Sequence, residues 1–265
     1  MSDADDVSFP TTRWTLVAHL RSADPDVARR ALEELLKQYR YPLYAYIRRR
    51  GLTHHDAEDA LHDFLEKLLR LQSLEDADAA FGRLRGFLSK SLGRFLVDWQ
   101  RHDARHGLVG YGLPPDVARS DEARYAQERF AADDTAELVF ERKWGHALME
   151  RVLSRLRMQC DQQGKRALFF ALRPVLLAGG RLRGHDGAAI AKGLGMTEAT
   201  LRVALSRHLR DYRKVLEEEV LQTVGRPEDV PGEIAHLMSL FSPVRGNAGA
   251  MRSPPAGALE HWTPV

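Results

Sequence analysis

The sequence predicts an all-α protein. Apolar residues recur at three- and four-residue spacings, no long stretch alternates as a strand does, and glycine or proline closes the helical runs. A chain of 265 residues with 44% hydrophobic and 29% charged residues is long enough for one large domain or two small ones. We therefore expect two small helical domains joined by a flexible linker.

The domain boundaries follow from composition. Glycine and proline cluster after residue 106, and a polar stretch rich in Ala, Asp and Arg follows them. The predicted parts are an N-terminal segment (1–25), a helical domain (26–107), a linker (108–135), a second helical domain (136–224) and a tail of unassigned role (225–265).

Two local expectations concern proline. Pro42 lies inside an otherwise helical run and should bend or break it, because proline removes a backbone donor. The tail is proline-rich, and only 232–241 is able to form one more helix.

The cellular compartment is predicted from the cysteine count and from the length of the apolar runs. Cys160 is the single cysteine, so the chain forms no internal disulfide, and a reducing compartment fits best. The acidic start lacks the apolar run of a secretory signal, and no apolar run reaches the ~20 residues that span a bilayer. We expect a cytoplasmic protein without a membrane partner.

The most specific local pattern is a helix-turn-helix over 186–220. Gly195 stands where the turn needs positive φ, and Thr197 can cap the second helix. Leu201, Leu205, His208 and Tyr212 form the predicted inner stripe of that helix. An outward face of arginines on such a helix suits insertion into the major groove of DNA. The predicted contacts to an upstream DNA element are Thr197, Thr200, Arg202, Val203, Ser206, Arg207 and Arg210.

Three stretches together resemble the sigma-70 family of RNA polymerase sigma factors, extracytoplasmic-function group. They are LEELLKQYRYPLYAYIRRRG (32–51) with DAEDALHDFLEKLL (56–69), FGRLRGFLSKSLGRFLVDWQRHDARH (81–106), and the helix-turn-helix itself. The resemblance implies a sigma region 2-like first domain and a sigma region 4-like second domain. It implies core RNA polymerase and promoter DNA as partners, with an anti-sigma factor as a conceivable third.

The resemblance also implies two further contact surfaces. Residues proposed to bind core polymerase lie on the acidic helix: Asp56, Glu58, Asp59, His62, which replaces the usual Gln, and Asp63. The second surface would hold the minus-ten element, using basic side chains for phosphates and an aromatic face for unstacked bases. Its residues are Lys90, Arg94, which replaces the usual Asn, Trp99, Arg101 and Arg105, whereas Phe87 and Phe95 are expected in the core.

Two alternatives remain open. One is a transcription regulator that binds DNA through the helix-turn-helix without engaging core polymerase. The other is a helical metalloenzyme, because helical spacing brings His55, Glu58, Asp59 and His62 near one another; no His-Glu-x-x-His order supports it. Without a phosphate-binding glycine loop or a nucleophile elbow, we expect no catalytic residue, no metal and no cofactor.

Overall fold

The structure, a computed structural model, describes residues 19–20, 22, 24–70, 83–101 and 115–241. Regular structure in these ranges is helical apart from one isolated antiparallel bridge, so the all-α prediction is confirmed there. No helix among the described residues combines the length and apolar content needed to cross a bilayer. The helices are α1 (Pro25–Arg49), α2 (His54–Arg70), α3 (Leu84–Arg101), α4 (Pro115–Gln127), α5 (Ala136–Gln162), α6 (Arg166–Leu177), α7 (Gly187–Gly193), α8 (Glu198–Leu221) and α9 (Val230–Phe241).

Helix α1 begins and continues for clear local reasons. The Asp24 carboxylate caps it by accepting from the Asp26 amide, and Pro25 occupies the first turn, where no donor is needed. Of the two outcomes expected at Pro42, a bend or a break, the break is wrong, since α1 runs through Pro42 to Arg49. Pro42 and its neighbours Tyr41 and Leu43 are buried, and this packing offsets the missing hydrogen bond.

Helices α1, α2 and α3 pack around an aromatic core. Tyr39, Tyr44, Tyr46 and Phe64 are all at most 1% exposed. At Gly93 of α3, an added Cβ would come within 2.9 Å of the Tyr46 hydroxyl, so a small residue is required where α3 meets α1.

The described part of the predicted linker, 115–135, is structured. Helix α4 lies against α1, where buried Arg40 forms ion pairs with Asp121 of α4 at 2.8 Å and with Glu58 of α2 at 3.0 Å. Arg49 then donates to the carbonyl oxygens of Asp134 at 2.6 Å and Ala131 at 2.9 Å. These contacts anchor both α4 and the following loop to α1.

Helix α5 contributes to both predicted domains. Phe140 and Trp144 in its first half are buried with α1 and α3, whereas Leu156 and Cys160 in its last turns pack with α6. The largest core therefore includes buried residues of α1, α2, α3, α5, α8 and α9, and the division into two domains stays a prediction.

The expected tail helix is confirmed as α9, which begins two residues earlier than predicted. Its Leu237 side chain is fully buried in the main core. His146 of α5 packs edge-on against Phe241 at the end of α9, with ring centroids 4.9 Å apart. The last helix is thus part of the folded core.

Acidification should destabilise the fold through His146. Burial, and secondarily the Lys143 charge, lowers the pKa of His146 from 6.5 to about 4. Between pH 6.5 and about 4, the unfolded chain therefore binds more protons at this histidine than the folded chain does. The stability that the neutral ring contributes is complete above pH 6.5 and is lost as the pH falls toward about 4. The loss is at most about 3 kcal/mol. We expect His146→Gln to flatten the pH dependence of the unfolding free energy across this window.

His55→Gln is the matched control for that measurement, because the His55 side chain is 88% exposed. It should retain the wild-type dependence on pH. The unfolding free energy of each variant is measured by chemical denaturation at several pH values. If it changes with pH equally in His146→Gln and the wild type, His146 is not the source of the pH dependence.

Candidate nucleic-acid interface

The helix-turn-helix is built by local capping and one glycine. Asp186 caps α7 by accepting from the Ala189 amide, and Thr197 caps α8 by accepting from the Thr200 amide at 3.2 Å. Between the helices, Gly195 has φ +65°, a left-handed conformation that costs other residues energy. The predicted turn and cap are both confirmed.

The inner side of α8 is apolar, as its pattern predicted. Leu201 and Leu205 pack with Ala191 of α7 and with Leu172 and Val175 of α6. These contacts fix the orientation of α8 against α6 and α7, so its opposite face is directed to solvent.

The outward face of α8 carries six of the seven residues predicted to contact the upstream element, and the seventh, Thr197, is its N-cap. Arg202 forms an exposed i,i+4 ion pair with Glu198 at 3.3 Å. Such an exposed pair is weak in water, so it does not prevent the guanidinium from binding another partner. Residues 181–214 hold eight Arg and Lys against three Asp and Glu, although the whole chain has a net charge of only +2. The exposed predicted residues are Thr197, Thr200, Arg202, Val203, Ser206, Arg207 and Arg210.

A cysteine–histidine pair lies behind this face. The Cys160 sulfur of α5 is 3.9 Å from Nδ1 of His208, and both residues are buried. Burial raises the pKa of the Cys160 thiol and lowers the pKa of His208, so both are neutral near pH 7. The pair therefore lacks the thiolate and imidazolium charges of an activated cysteine.

The acidic face of α2 is divided between solvent and internal contacts. Glu58 pairs with buried Arg40, and Asp63 accepts a hydrogen bond from the Trp99 indole at 2.9 Å. Asp59 remains 60% exposed, with His55 Nδ1 3.7 Å from its carboxylate. The other two predicted residues have contacts within α2 or its cap: Asp56 accepts from the Thr53 hydroxyl at 2.7 Å, and His62 lies 3.6 Å from Glu66.

The sequence did not reveal Arg40 as the residue that holds Glu58. The available signal is the position of Arg40 within the apolar run of α1, where it is buried, because a buried charge needs a partner of opposite charge. This signal does not indicate which residue the partner is.

The basic face of α3 is largely exposed. Lys90, Arg94 and Arg101 are exposed, and Trp99 is half-buried against α2. Phe87 and Phe95 are core residues, as expected, and each is 8% exposed. Arg105 lies outside the described residues.

One residue of this basic segment is not available for phosphate. Arg85, which contributes to the positive charge of 81–106, is only 5% exposed and is paired with Glu141 and Glu233. Its guanidinium neutralises these two carboxylates.

The histidine-rich start of α2 does not converge on one point. Glu58 is directed to Arg40 and His55 to Asp59. Within the described ranges, no three His, Cys, Asp or Glu side chains are grouped closely enough to hold a metal ion.

No family model, curated protein or solved structure matches the chain. The functional argument therefore depends on the geometry of these surfaces and on the sequence resemblance.

The turn glycine has a matched control two residues away. We expect Gly195→Ala to lower the unfolding free energy by about 1 kcal/mol, because alanine is strained at positive φ. Gly193 ends α7 without positive φ, and a Cβ there meets nothing within 4 Å, so Gly193→Ala should be neutral or stabilising. Equal effects of the two substitutions in chemical denaturation would contradict the role of the turn.

Proposed function

We propose that this protein is a sigma factor that binds core RNA polymerase and directs promoter-specific initiation. The observation that carries the proposal is the exposed arginine face of α8, presented by a glycine turn and a threonine cap. The sequence resemblance to the extracytoplasmic-function group joins this face to a second basic surface on α3 and an acidic helix, α2. A cytoplasmic location follows from the same proposal.

The upstream element would be read by α8. Arg202 lies one turn into the helix, where a long side chain reaches a base edge and a guanidinium can bond two acceptors of one guanine. Arg207 lies further along and suits the phosphate backbone, which gives affinity without sequence information. Val203 and Ser206 would add a thymine methyl contact and a single hydrogen bond.

The minus-ten element would be held by α3. Lys90, Arg94 and Arg101 supply exposed positive charge for the phosphates, and Trp99 supplies an aromatic face for an unstacked base. The hydrogen bond from Trp99 to Asp63 joins this surface to α2. Polymerase docking on α2 would therefore help to position the side chain that contacts the melted strand.

A regulator that binds DNA without core polymerase is the second candidate. It is favoured by the internal contacts of Glu58 and Asp63, which reduce the acidic surface that α2 offers to polymerase. Copurification with core polymerase separates the two candidates, because the regulator alone should not be retained.

The direct test is run-off transcription with core polymerase on a library of genomic fragments. We expect specific start sites that core polymerase alone does not use, and Asp59→Arg should reduce both core binding and initiation by reversing charge on the exposed part of α2. Asp133→Arg, the same change at an exposed loop residue, should leave both unchanged. If no fragment is initiated above the core-only background, the proposal is wrong.

We expect different residues of α8 to contact the bases and the phosphates. We expect Arg202→Ala to relax preference at one or two positions of the upstream element, since a bidentate base contact gives about 1–3 kcal/mol of discrimination. Arg207→Ala should weaken binding to all sequences alike and lower the salt dependence by about one phosphate. Binding-site selection by the holoenzyme at two salt concentrations measures both effects.

Arg29→Ala, at an exposed residue of α1, is the control for that selection. If Arg202→Ala keeps the wild-type consensus and loses affinity evenly, α8 does not read bases as proposed.

A further inference from the structure

A small cavity lies behind the arginine face of α8, where that helix meets the end of α5 and the start of α6. Its volume is about 100 Å³. Leu156 of α5, Leu168 of α6 and Ala204 of α8 form its apolar walls. An apolar cavity of about 150 Å³ is large enough for benzene, so this one suits a smaller body of about two to four carbon atoms.

A buried histidine in the wall of this cavity has one ring nitrogen without a partner. His208 lines the cavity and is only 3% exposed. Its Nδ1 lies 3.9 Å from the Cys160 sulfur, but no residue in the described part of the chain forms a hydrogen bond with its Nε2. Because an unpaired buried nitrogen is costly, this position indicates a ligand that completes the hydrogen bond.

The Cys160 thiol determines which kind of partner Nε2 needs. Burial raises the pKa of the thiol and lowers the pKa of His208, so the thiol keeps its proton and the ring is neutral near pH 7. Sulfur is a weak acceptor, whereas a neutral imidazole has one good acceptor nitrogen. The thiol therefore donates to Nδ1, and the ring proton is on Nε2. His208 thus offers a buried N–H donor, which needs an acceptor.

Two cations and one anion complete the lining of the cavity. Lys165, Arg207 and Asp211 line it and are exposed, so they lie on its solvent side. The Lys165 amide donates to the Cys160 carbonyl at 2.8 Å, after a turn at Gly164 with φ +67°, and this contact places Lys165 beside the cavity. No carboxylate of the described residues lies within ion-pair distance of Lys165 or Arg207. Since His208 and Cys160 are neutral, the lining has one positive charge in excess.

We propose that this cavity binds the anion of a small monocarboxylic acid. One carboxylate oxygen accepts from Nε2 of His208, and the negative charge is paired with Lys165 and Arg207. The hydrocarbon part of the acid packs on Leu156 and Leu168. A single negative charge neutralises the excess charge of the lining, whereas inorganic phosphate has no apolar part to cover the leucine side chains.

Arg207 connects this site to the proposed DNA surface. On the proposed function, Arg207 pairs with a DNA phosphate, and a carboxylate bound in the cavity competes for the same guanidinium. Occupancy of the cavity should therefore weaken binding to all DNA sequences alike, by about five- to tenfold, and leave the bases read by Arg202 unchanged. DNA should weaken binding of the acid by the same factor. This consequence rests on the proposed function, whereas the site itself does not.

The first experiment titrates the full-length protein with sodium propionate at constant ionic strength, held with sodium chloride. NMR of the nitrogen-15-labelled histidine rings follows Nε2 of His208. We expect a saturable shift at one site with a dissociation constant of about 1 mM, which is within the limit for so small a ligand. Propionamide lacks the charge, and benzoate has a ring that needs about 150 Å³, so each should bind at least about tenfold more weakly.

Two lysine variants test the position of the site. Lys165→Gln removes one cation from the lining and should weaken propionate binding about tenfold. Lys214→Gln makes the same change at an exposed residue of α8 outside the cavity and should bind propionate like the wild type. If the shift does not saturate, if propionamide binds as tightly as propionate, or if both variants weaken binding equally, the proposed site is wrong.

The second experiment measures the affinity of the holoenzyme for a selected promoter in propionate and in chloride at equal ionic strength. We expect propionate to weaken the wild-type complex about five- to tenfold and to have little effect on Lys165→Gln, which reports the general effect of exchanging the anion. If propionate binds but weakens both complexes equally, the coupling through Arg207 is wrong. If propionate binds the free protein while no genomic fragment is initiated above the core-only background, the site stands and the proposed function fails.

Discussion

The fold depends on the burial of one helix, α5, by partners from both ends of the chain. Phe140 and Trp144 join the aromatic core of α1, whereas Leu156 and Cys160 pack with α6. Without α5, the tyrosine face of α1 and the apolar face of α8 would have no common surface to cover. Helices that share a core are therefore not always neighbours along the sequence.

Buried charges select among the ways these helices could pack. Arg40, Arg85 and Glu233 are buried, and each has oppositely charged partners on other helices. A buried ion pair contributes little net stability compared with an apolar pair, but a misplaced partner leaves a charge uncompensated at a cost of about 3–5 kcal/mol. These pairs therefore penalise alternative registers of α3, α4 and α9 more than they stabilise the observed one.

The features that the sequence predicted correctly are those that depend on neighbours along the chain. The helix-turn-helix follows from Gly195, Thr197 and a stripe of leucines within 25 residues, so local chemistry determines it. Arg85 and Glu233 are 148 positions apart, and no local pattern indicates that they meet. Pro42 does not break α1 for a related reason, because burial of the residues around it outweighs the local preference of proline.

Helix α8 belongs both to the helix-turn-helix and to the main core. Its first half presents Arg202 and Arg207 to solvent, and its second half places Val215 and Val220 in the main core. Glu219, also in the second half, is buried and pairs with Arg151 and Arg155 of α5. A continuous helix of 24 residues transmits a tilt at one end to the other, since its backbone hydrogen bonds resist bending. A partner that reorients the arginine face must therefore also shift α8 on α5, next to the point where Thr223 meets α3.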